Sequence, residues 1–243
     1  MSLTKIVAAK EFKGYFKNYS AYIILGIYLV LSAALTFFSA NFFEYNNQNL
    51  VSLFLWQPDI LNILIPALTM KMWAEERRYG TLELLLTQPI NIHTLVLGKF
   101  FAAWGFSVLL VIMLTPFIVC TSFLVPLDIL NISVSVLAVI LVSATLCAMG
   151  CLISAYFKNA AAAYLASVFF GWVLENMNLN IFLKPIIKIF PILTQRLKGI
   201  LDFREHYDIL IQGQLSFESV VYFFSFALLI LWLNTIVIKR CKR

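Results

Sequence analysis

Charged side chains are scarce in this sequence, since only 12% of its 243 residues are Asp, Glu, Lys or Arg. An ordinary soluble domain carries about 25% charged residues, whereas 62% of this chain is hydrophobic and 15% is aromatic. The composition excludes a soluble domain and predicts an all-α, polytopic membrane protein. The net charge of +6 does not indicate nucleic-acid binding, because the basic residues mostly flank apolar runs.

Histidine and cysteine are also few, with two and four residues respectively. Three cysteines lie in apolar runs and the fourth lies in the basic tail: Cys120, Cys147, Cys151 and Cys241. Their spacing gives no disulfide framework, and we expect reduced packing residues. We place His93 and His206 in loops, away from membrane depth, so we expect no metal site. An intramembrane enzyme would also have too few catalytic groups.

A nucleotide-binding loop is missing. No Gly-x-x-x-x-Gly-Lys-Ser/Thr motif occurs, and Gly98-Lys99 lacks both the leading glycine and the hydroxyl residue. The chain therefore cannot bind ATP by that route. We expect it to bind no cofactor, so any ATP hydrolysis must come from another polypeptide.

Long apolar runs dominate instead. A helix needs about 20 mostly apolar residues to cross a bilayer. That pattern predicts six spans, near residues 20–40, 57–74, 96–122, 132–156, 159–176 and 217–238. Six spans place both termini on one side, together with 13 of the 18 Lys and Arg residues. The positive-inside rule makes that side cytoplasmic.

Segments outside the spans have patterns of their own. In residues 1–19, apolar residues at helical spacing, including Phe12 and Phe16, oppose lysines, which predicts an amphipathic helix on the inner leaflet. A polar leader is the alternative. Residues 177–216 alternate apolar and basic positions and predict short helices at the outer interface rather than an irregular polar loop. No repeat or soluble insert divides the chain, so we expect one membrane domain, 1–243.

A charged segment, residues 70–89, separates the second and third predicted spans. Gly80 can adopt the left-handed conformation that ends a helix. Thr81 can cap a new helix, Glu83 lies in its first turn, and Pro89 follows its end. These signals predict a short helix over 81–88 along the membrane surface.

One face of this predicted helix carries Leu82, Leu85 and Leu86 at helical spacing. Leucines in this pattern suit the bilayer or the groove of a partner. The alternative for the preceding charges is a solvated cluster whose members neutralise one another: Glu75, Glu76, Arg77 and Arg78.

A family resemblance rests on motifs spread over most of the chain. They are Pro66–Met70, Ala74–Arg77, Gly80–Leu86, Pro89, Leu97–Lys99, Gln212–Gly213 and Ser219–Phe223. With these motifs the chain resembles the membrane subunit of type-2 ATP-binding-cassette (ABC) exporters. It is most similar to the small permeases associated with gliding motility and copper-enzyme maturation.

The resemblance implies a permease of the inner membrane that is not itself an enzyme. In that family the loop between the second and third spans is a coupling helix that docks on a cytosolic ATPase. Carried over, the ATPase-coupling residues are Glu75, Glu76, Arg77, Gly80, Thr81, Leu82, Glu83, Leu85 and Pro89. Two permeases, identical or related, assemble with two ATPases that bind ATP and Mg. Lipids and a periplasmic accessory protein are further expected partners.

Polar residues in the outer half of the spans are candidates for a translocation path, because a polar group in lipid is costly. They are Asp59, Asn62 and Pro66 in the second span and Glu175 and Asn176 in the fifth. The alternative is that they contact water or headgroups at the interface. A self-contained ion-coupled transporter is the second functional hypothesis, and it would need ionisable groups at the bilayer midplane.

Overall fold

The computed structural model describes residues 3–17, 19–39, 51–87, 91–122, 128–176 and 202–240. Within these ranges the regular structure is helical and contains no strand. The helices are α1 Leu3–Lys17, α2 Ser20–Ala34 with a π-helical turn Leu35–Ser39, α3 Val51–Leu55, α4 Gln57–Thr69, α5 Lys71–Arg78, α6 Thr81–Thr87, α7 Ile92–Ile112, α8 Thr115–Ser122, α9 Ile129–Tyr156, α10 Ala160–Asn176, α11 Phe203–Ile211 and α12 Phe217–Arg240.

Among the described residues, four stretches are long and apolar enough to cross a membrane: Ser20–Phe37, Ile92–Cys120, Ile129–Tyr156 and Phe217–Arg240. The all-helical, multi-pass prediction is therefore confirmed. The other two predicted spans correspond to shorter helices, α4 with 13 residues and α10 with 17. At 1.5 Å per residue these helices are about 20 and 26 Å long.

The second predicted span is divided at Met70, where the side chain of Ser154 on α9 bonds to the backbone. Its Oγ accepts hydrogen bonds from the backbone N–H groups of Trp73 and Ala74, at 3.1 and 3.3 Å. The same hydroxyl donates to the carbonyl of Met70 at 3.0 Å. One serine thus bonds the α4–α5 junction to α9.

Contacts at the helix ends show how the described helices are placed along the bundle. We call the end that carries α5 and α6 the charged-loop end. The last turn of α9 meets Arg77 there, and Lys239 of α12 lies 3.2 Å from His93 in the first turn of α7. At the opposite end, α11 meets the first turns of α9, where Ser135 Oγ donates to the Ile211 carbonyl at 3.2 Å. Because α1 also packs on α7, both described termini lie at the charged-loop end.

Helix α9 lies at the centre of the bundle and contacts α3, α4, α5, α7, α10, α11 and α12. One face of α9 carries small residues that include Cys147 and Cys151, and these residues are buried. Gly150 allows the close approach of α4, because a Cβ there would lie 2.1 Å from Thr69 Oγ1. Cys147 Sγ lies 3.2 Å from Ser107 Oγ, so this thiol packs within the bundle. The described residues contain no group of three His, Cys, Asp or Glu that could hold a metal ion.

Helix α1 has the predicted amphipathic pattern, but its apolar face lies on α7. Phe16 packs against Phe106 with ring centroids 5.7 Å apart, and the lysines of the other face are exposed. Gly98 permits this contact, since a Cβ there would lie 2.6 Å from Val7 Cγ1.

The predicted outer segment falls mostly on residues 177–201, which lie outside the described part of the chain. Its remainder contains α11, which begins with Asp202 as N-cap and buries an aromatic face that includes Tyr207.

The placement of both histidines in loops was wrong. His93 lies in the first turn of α7, and His206 is buried on α11 beside Ser219, because an apolar helix face can accommodate an imidazole that has a hydrogen-bond partner.

Candidate functional site

The segment that joins α5 to α6 is shaped by one glycine. Gly80 has φ of +70°, in the left-handed region that only glycine adopts without strain. Helix α6 follows at once and extends over Thr81–Thr87. Thr81 does not accept a bond as an N-cap; its hydroxyl donates to the Glu76 carbonyl at 3.4 Å. Pro89 lies outside the described residues.

The exposed face of the segment differs from the predicted leucine stripe. Leu82 is 4% exposed and belongs to the bundle core, and Leu85 is half-buried against it. Among the described side chains of the segment, the exposed apolar ones are Tyr79, at 70%, and Leu84, at 68%. The side chain of Leu86 lies outside the described part of the structure. Glu83 lies exposed next to Leu84. The sequence analysis did not predict Leu84 as a contact residue, because helical spacing places it on the polar face. Its size and its position beside Glu83 are the signals that could have indicated a contact.

Arg77 attaches α5 to the end of the central helix. Its guanidinium donates to the carbonyls of Ala155 and Tyr156, the latter at 3.0 Å. These carbonyls belong to the last turn of α9, which has no helical donors of its own and carries the negative end of the helix dipole. A cation bonded there links the charged segment to α9.

Lys99 forms the second attachment of the charged segment to the bundle. The sequence analysis did not identify this role of Lys99. Its ammonium, 2% exposed, lies 2.7 Å from Glu76 Oε1 and 3.1 Å from Glu11 Oε1. It also donates to the Met72 carbonyl at 3.0 Å and lies 5.0 Å from the centre of the Trp73 ring. Burial raises the pKa of the Glu76 carboxyl, and the Lys99 ammonium opposes that rise. One buried cation thus joins α1, α5 and α7.

The charges of the segment do not form a self-neutralising cluster. Glu75 pairs with Lys71 at 3.6 Å, and Arg78 lies 6.0 Å from the centre of the Tyr79 ring. Glu76 and Arg77 turn to the bundle, as described above. The alternative that these four charges pair with one another is therefore wrong, because the surrounding helices offer closer partners.

The candidate path residues meet at the α4–α10 interface, toward the opposite end. Asn62 Nδ2 donates to the Val168 carbonyl at 3.3 Å, and Gly171 makes room for it, since a Cβ there would lie 1.9 Å from Asn62 Oδ1. Glu175 is 3% exposed, and neither of its carboxyl oxygens has a hydrogen-bond partner among the described residues. Asn62 and Glu175 are therefore both buried within the bundle.

The other three path candidates differ in setting. Asp59 Oδ2 lies 3.5 Å from Arg204 Nη1 of α11, and Nη2 of the same guanidinium donates to the Leu55 carbonyl at 3.3 Å. Pro66 is buried within α4. Asn176 is exposed and donates to the Trp172 carbonyl of its own helix at 3.1 Å. The structure thus brings Asp59, Asn62 and Glu175 into one region and leaves Asn176 apart.

Comparison with known protein families identifies a match. A family model described as "ABC-2 family transporter protein" matches residues 5–238, which is nearly the whole chain. No curated protein matches the chain.

Proposed function

The chain belongs to the ABC-2 transporter family, and from this premise we propose that it is the permease subunit of an ABC exporter in the cytoplasmic membrane. The family match supports a translocation subunit that is served by an ABC ATPase. ATP and Mg bind to that ATPase, because this chain has no phosphate loop.

In the proposed arrangement one membrane domain spans the bilayer six times, with α4 and α10 as the main parts of the second and fifth spans. The traverse of both helices through the bundle supports this count. The charged-loop end faces the cytoplasm, since it carries both described termini and the basic residues beside them. Helix α1 then lies at the inner leaflet surface, and α11 lies at the outer end.

The ATPase docks on the exposed face of the α5–α6 segment, where Tyr79, Glu83 and Leu84 are accessible. The observation that carries this proposal is that the same segment is bonded to three bundle helices. Arg77 bonds to α9, and Glu76 reaches α1 and α7 through Lys99. A push on the segment therefore reaches those helices as a rigid-body displacement. The ATPase dimer drives transport by binding the two membrane states with different affinity.

Two permeases and two ATPases form the complex, and the substrate passes between the permeases. The second permease is another copy of this chain or a related protein, and a periplasmic accessory protein completes the route. This arrangement of subunits is the one that the resemblance to the ABC exporter family implies.

Copurification tests the docking surface. The tagged chain is coexpressed with the ABC ATPases of its own organism, and the ATPase recovered per permease is measured together with transport. Glu83→Lys should reduce both quantities, because it reverses a charge on the exposed face. Glu218→Lys, the same change at an exposed position in the first turn of α12, should change neither. The proposal fails if no ATPase copurifies, or if both variants behave alike.

Ion-coupled transport is the second candidate, and Glu175 is the observation that favours it. A buried carboxyl that has no partner among the described residues is a suitable proton acceptor in a transporter. Uptake by vesicles that contain the chain, an imposed pH gradient and no ATP would support this candidate. Transport that requires ATP under the same gradient would exclude it.

A further inference from the structure

A cavity of about 360 Å³ lies at the charged-loop end, beside the Lys99–Glu76 ion pair and between α1, α2 and the α4–α5 junction. Its lining changes in character along its length. Glu11, Glu75 and Lys71 line the part near the charged loop, whereas Ile24 and Leu68 line the part deeper in the bundle. This sequence of charged and then apolar walls matches the head and upper chain of a lipid.

The charges of the lining favour a cationic headgroup. Lys99 has three N–H groups and uses them on Glu11, Glu76 and the Met72 carbonyl, so none is left for an anion. Glu75 and Glu11 keep side-chain exposures of 43% and 34% and have acceptor capacity to spare. Three carboxylates against two ammonium groups leave the lining with net negative charge.

The partly exposed carboxylates of the lining, on Glu11 and Glu75, accept hydrogen bonds and donate none. They therefore suit a ligand that donates several hydrogen bonds. Primary ammonium has three N–H donors, whereas a quaternary ammonium has none. Lys71, 57% exposed at the mouth, is available for a phosphate.

We propose that this cavity binds a bilayer phospholipid with a primary ammonium headgroup, of the phosphatidylethanolamine type. The ammonium lies between Glu11 and Glu75, the phosphate faces Lys71, and the upper chain lies along Ile24 and Leu68. The volume is at the lower end of the range for small-molecule sites, about 300–1,000 Å³, and suits a headgroup. The proposal requires only that the chain lies in a bilayer and is independent of ATPase docking.

Lipid retention by the permease alone tests the proposal. The purified full chain is placed in nanodiscs of equal phosphatidylethanolamine, phosphatidylcholine and phosphatidylglycerol, and the lipids that stay bound after release are measured by native mass spectrometry. Phosphatidylethanolamine should exceed each of the others by about threefold or more, as expected for a charge-assisted hydrogen bond. Equal retention of the three lipids, or a preference for phosphatidylglycerol, would overturn the proposal.

Two variants with matched controls locate the site. Glu75→Gln removes one carboxylate of the cavity, and Glu218→Gln removes an exposed one elsewhere. Gly14→Leu fills the cavity, because Gly14 lines it and a Cβ there meets no atom within 4 Å. Gly26→Leu is the same change at an open, exposed position on α2. Leucine is a better helix former than glycine, so neither glycine change should unfold its helix.

Glu75→Gln and Gly14→Leu should each lose about two thirds or more of the phosphatidylethanolamine excess. The controls Glu218→Gln and Gly26→Leu should keep it. Unchanged retention in Glu75→Gln and in Gly14→Leu would overturn the assignment to this cavity. Because no ATPase is present, this result does not depend on the docking experiment.

Discussion

Replacement of Lys99 by Met is the perturbation that most directly tests the link between the charged segment and the bundle. Methionine retains the length and apolar stem of lysine but removes the buried ammonium. Glu76, Glu11 and the Met72 carbonyl then lose their shared donor. Breaking a buried ion pair by removal of one partner costs about 3–5 kcal/mol. The two carboxylates keep exposures of 20% and 34%, so water lowers the cost, and we expect about 3 kcal/mol.

The assay is thermal unfolding of the purified chain in detergent, followed by tryptophan fluorescence. For a chain of this size, about 3 kcal/mol corresponds to a decrease of roughly 6–12 °C in the unfolding midpoint. Lys71→Met is the control, because Lys71 is 57% exposed and pairs with Glu75 across one helical turn, so its removal should cost at most about 0.5 kcal/mol. The double variant Lys99→Met with Glu76→Gln should recover about half of the loss, since it removes the stranded charge.

The pH dependence of Lys99→Met gives an independent check. Burial raises the pKa of the Glu76 carboxyl, and loss of the Lys99 ammonium removes the main opposing influence. A carboxyl whose folded-state pKa lies above its unfolded value is stabilising when protonated, and this contribution is lost as pH rises through the folded pKa. The stability deficit of Lys99→Met should therefore shrink as pH falls from about 8 to about 5. The reasoning is refuted if Lys99→Met is as stable as Lys71→Met, or if the deficit does not change with pH.

Three further substitutions test individual contacts by the same unfolding measurement. Gly171→Ala places a Cβ 1.9 Å from Asn62 Oδ1 and should cost about 1–3 kcal/mol; Asn62→Ala should rescue it, and additive losses would contradict the contact. Gly80→Ala should cost about 1–2 kcal/mol because φ is +70° there, whereas the matched Gly26→Ala should be neutral or stabilising. Ser154→Ala removes the hydroxyl that bridges the α4–α5 junction and should cost about 1–3 kcal/mol, while no effect would show that the junction needs no bridge.

Much of the site could not be read from the sequence, and Lys99 shows why. Next to an apolar run, a lysine normally orients a helix by lying at the membrane surface. Its burial results from Glu11 and Glu76, which lie 88 and 23 positions away in the chain and come together only when α1 packs on α7. The same holds for Arg77, whose acceptors lie at the end of α9. Leu82 is buried and Leu84 is exposed because the core fixes the rotation of α6, which spacing alone leaves open.

What the sequence by itself determined is the class of protein and the local form of the charged segment. Apolar composition and the length of an apolar run depend on the residues of that run alone. In a membrane, the backbone groups of each span must be hydrogen-bonded within the span, so each helix can be predicted separately. Gly80 likewise marks a helix end through its own backbone freedom. Tertiary structure decided which charges face the bundle, where the second predicted span is divided, and which polar residues meet between α4 and α10. These outcomes depend on partners that are distant in the chain, and only packing brings such partners within hydrogen-bond range.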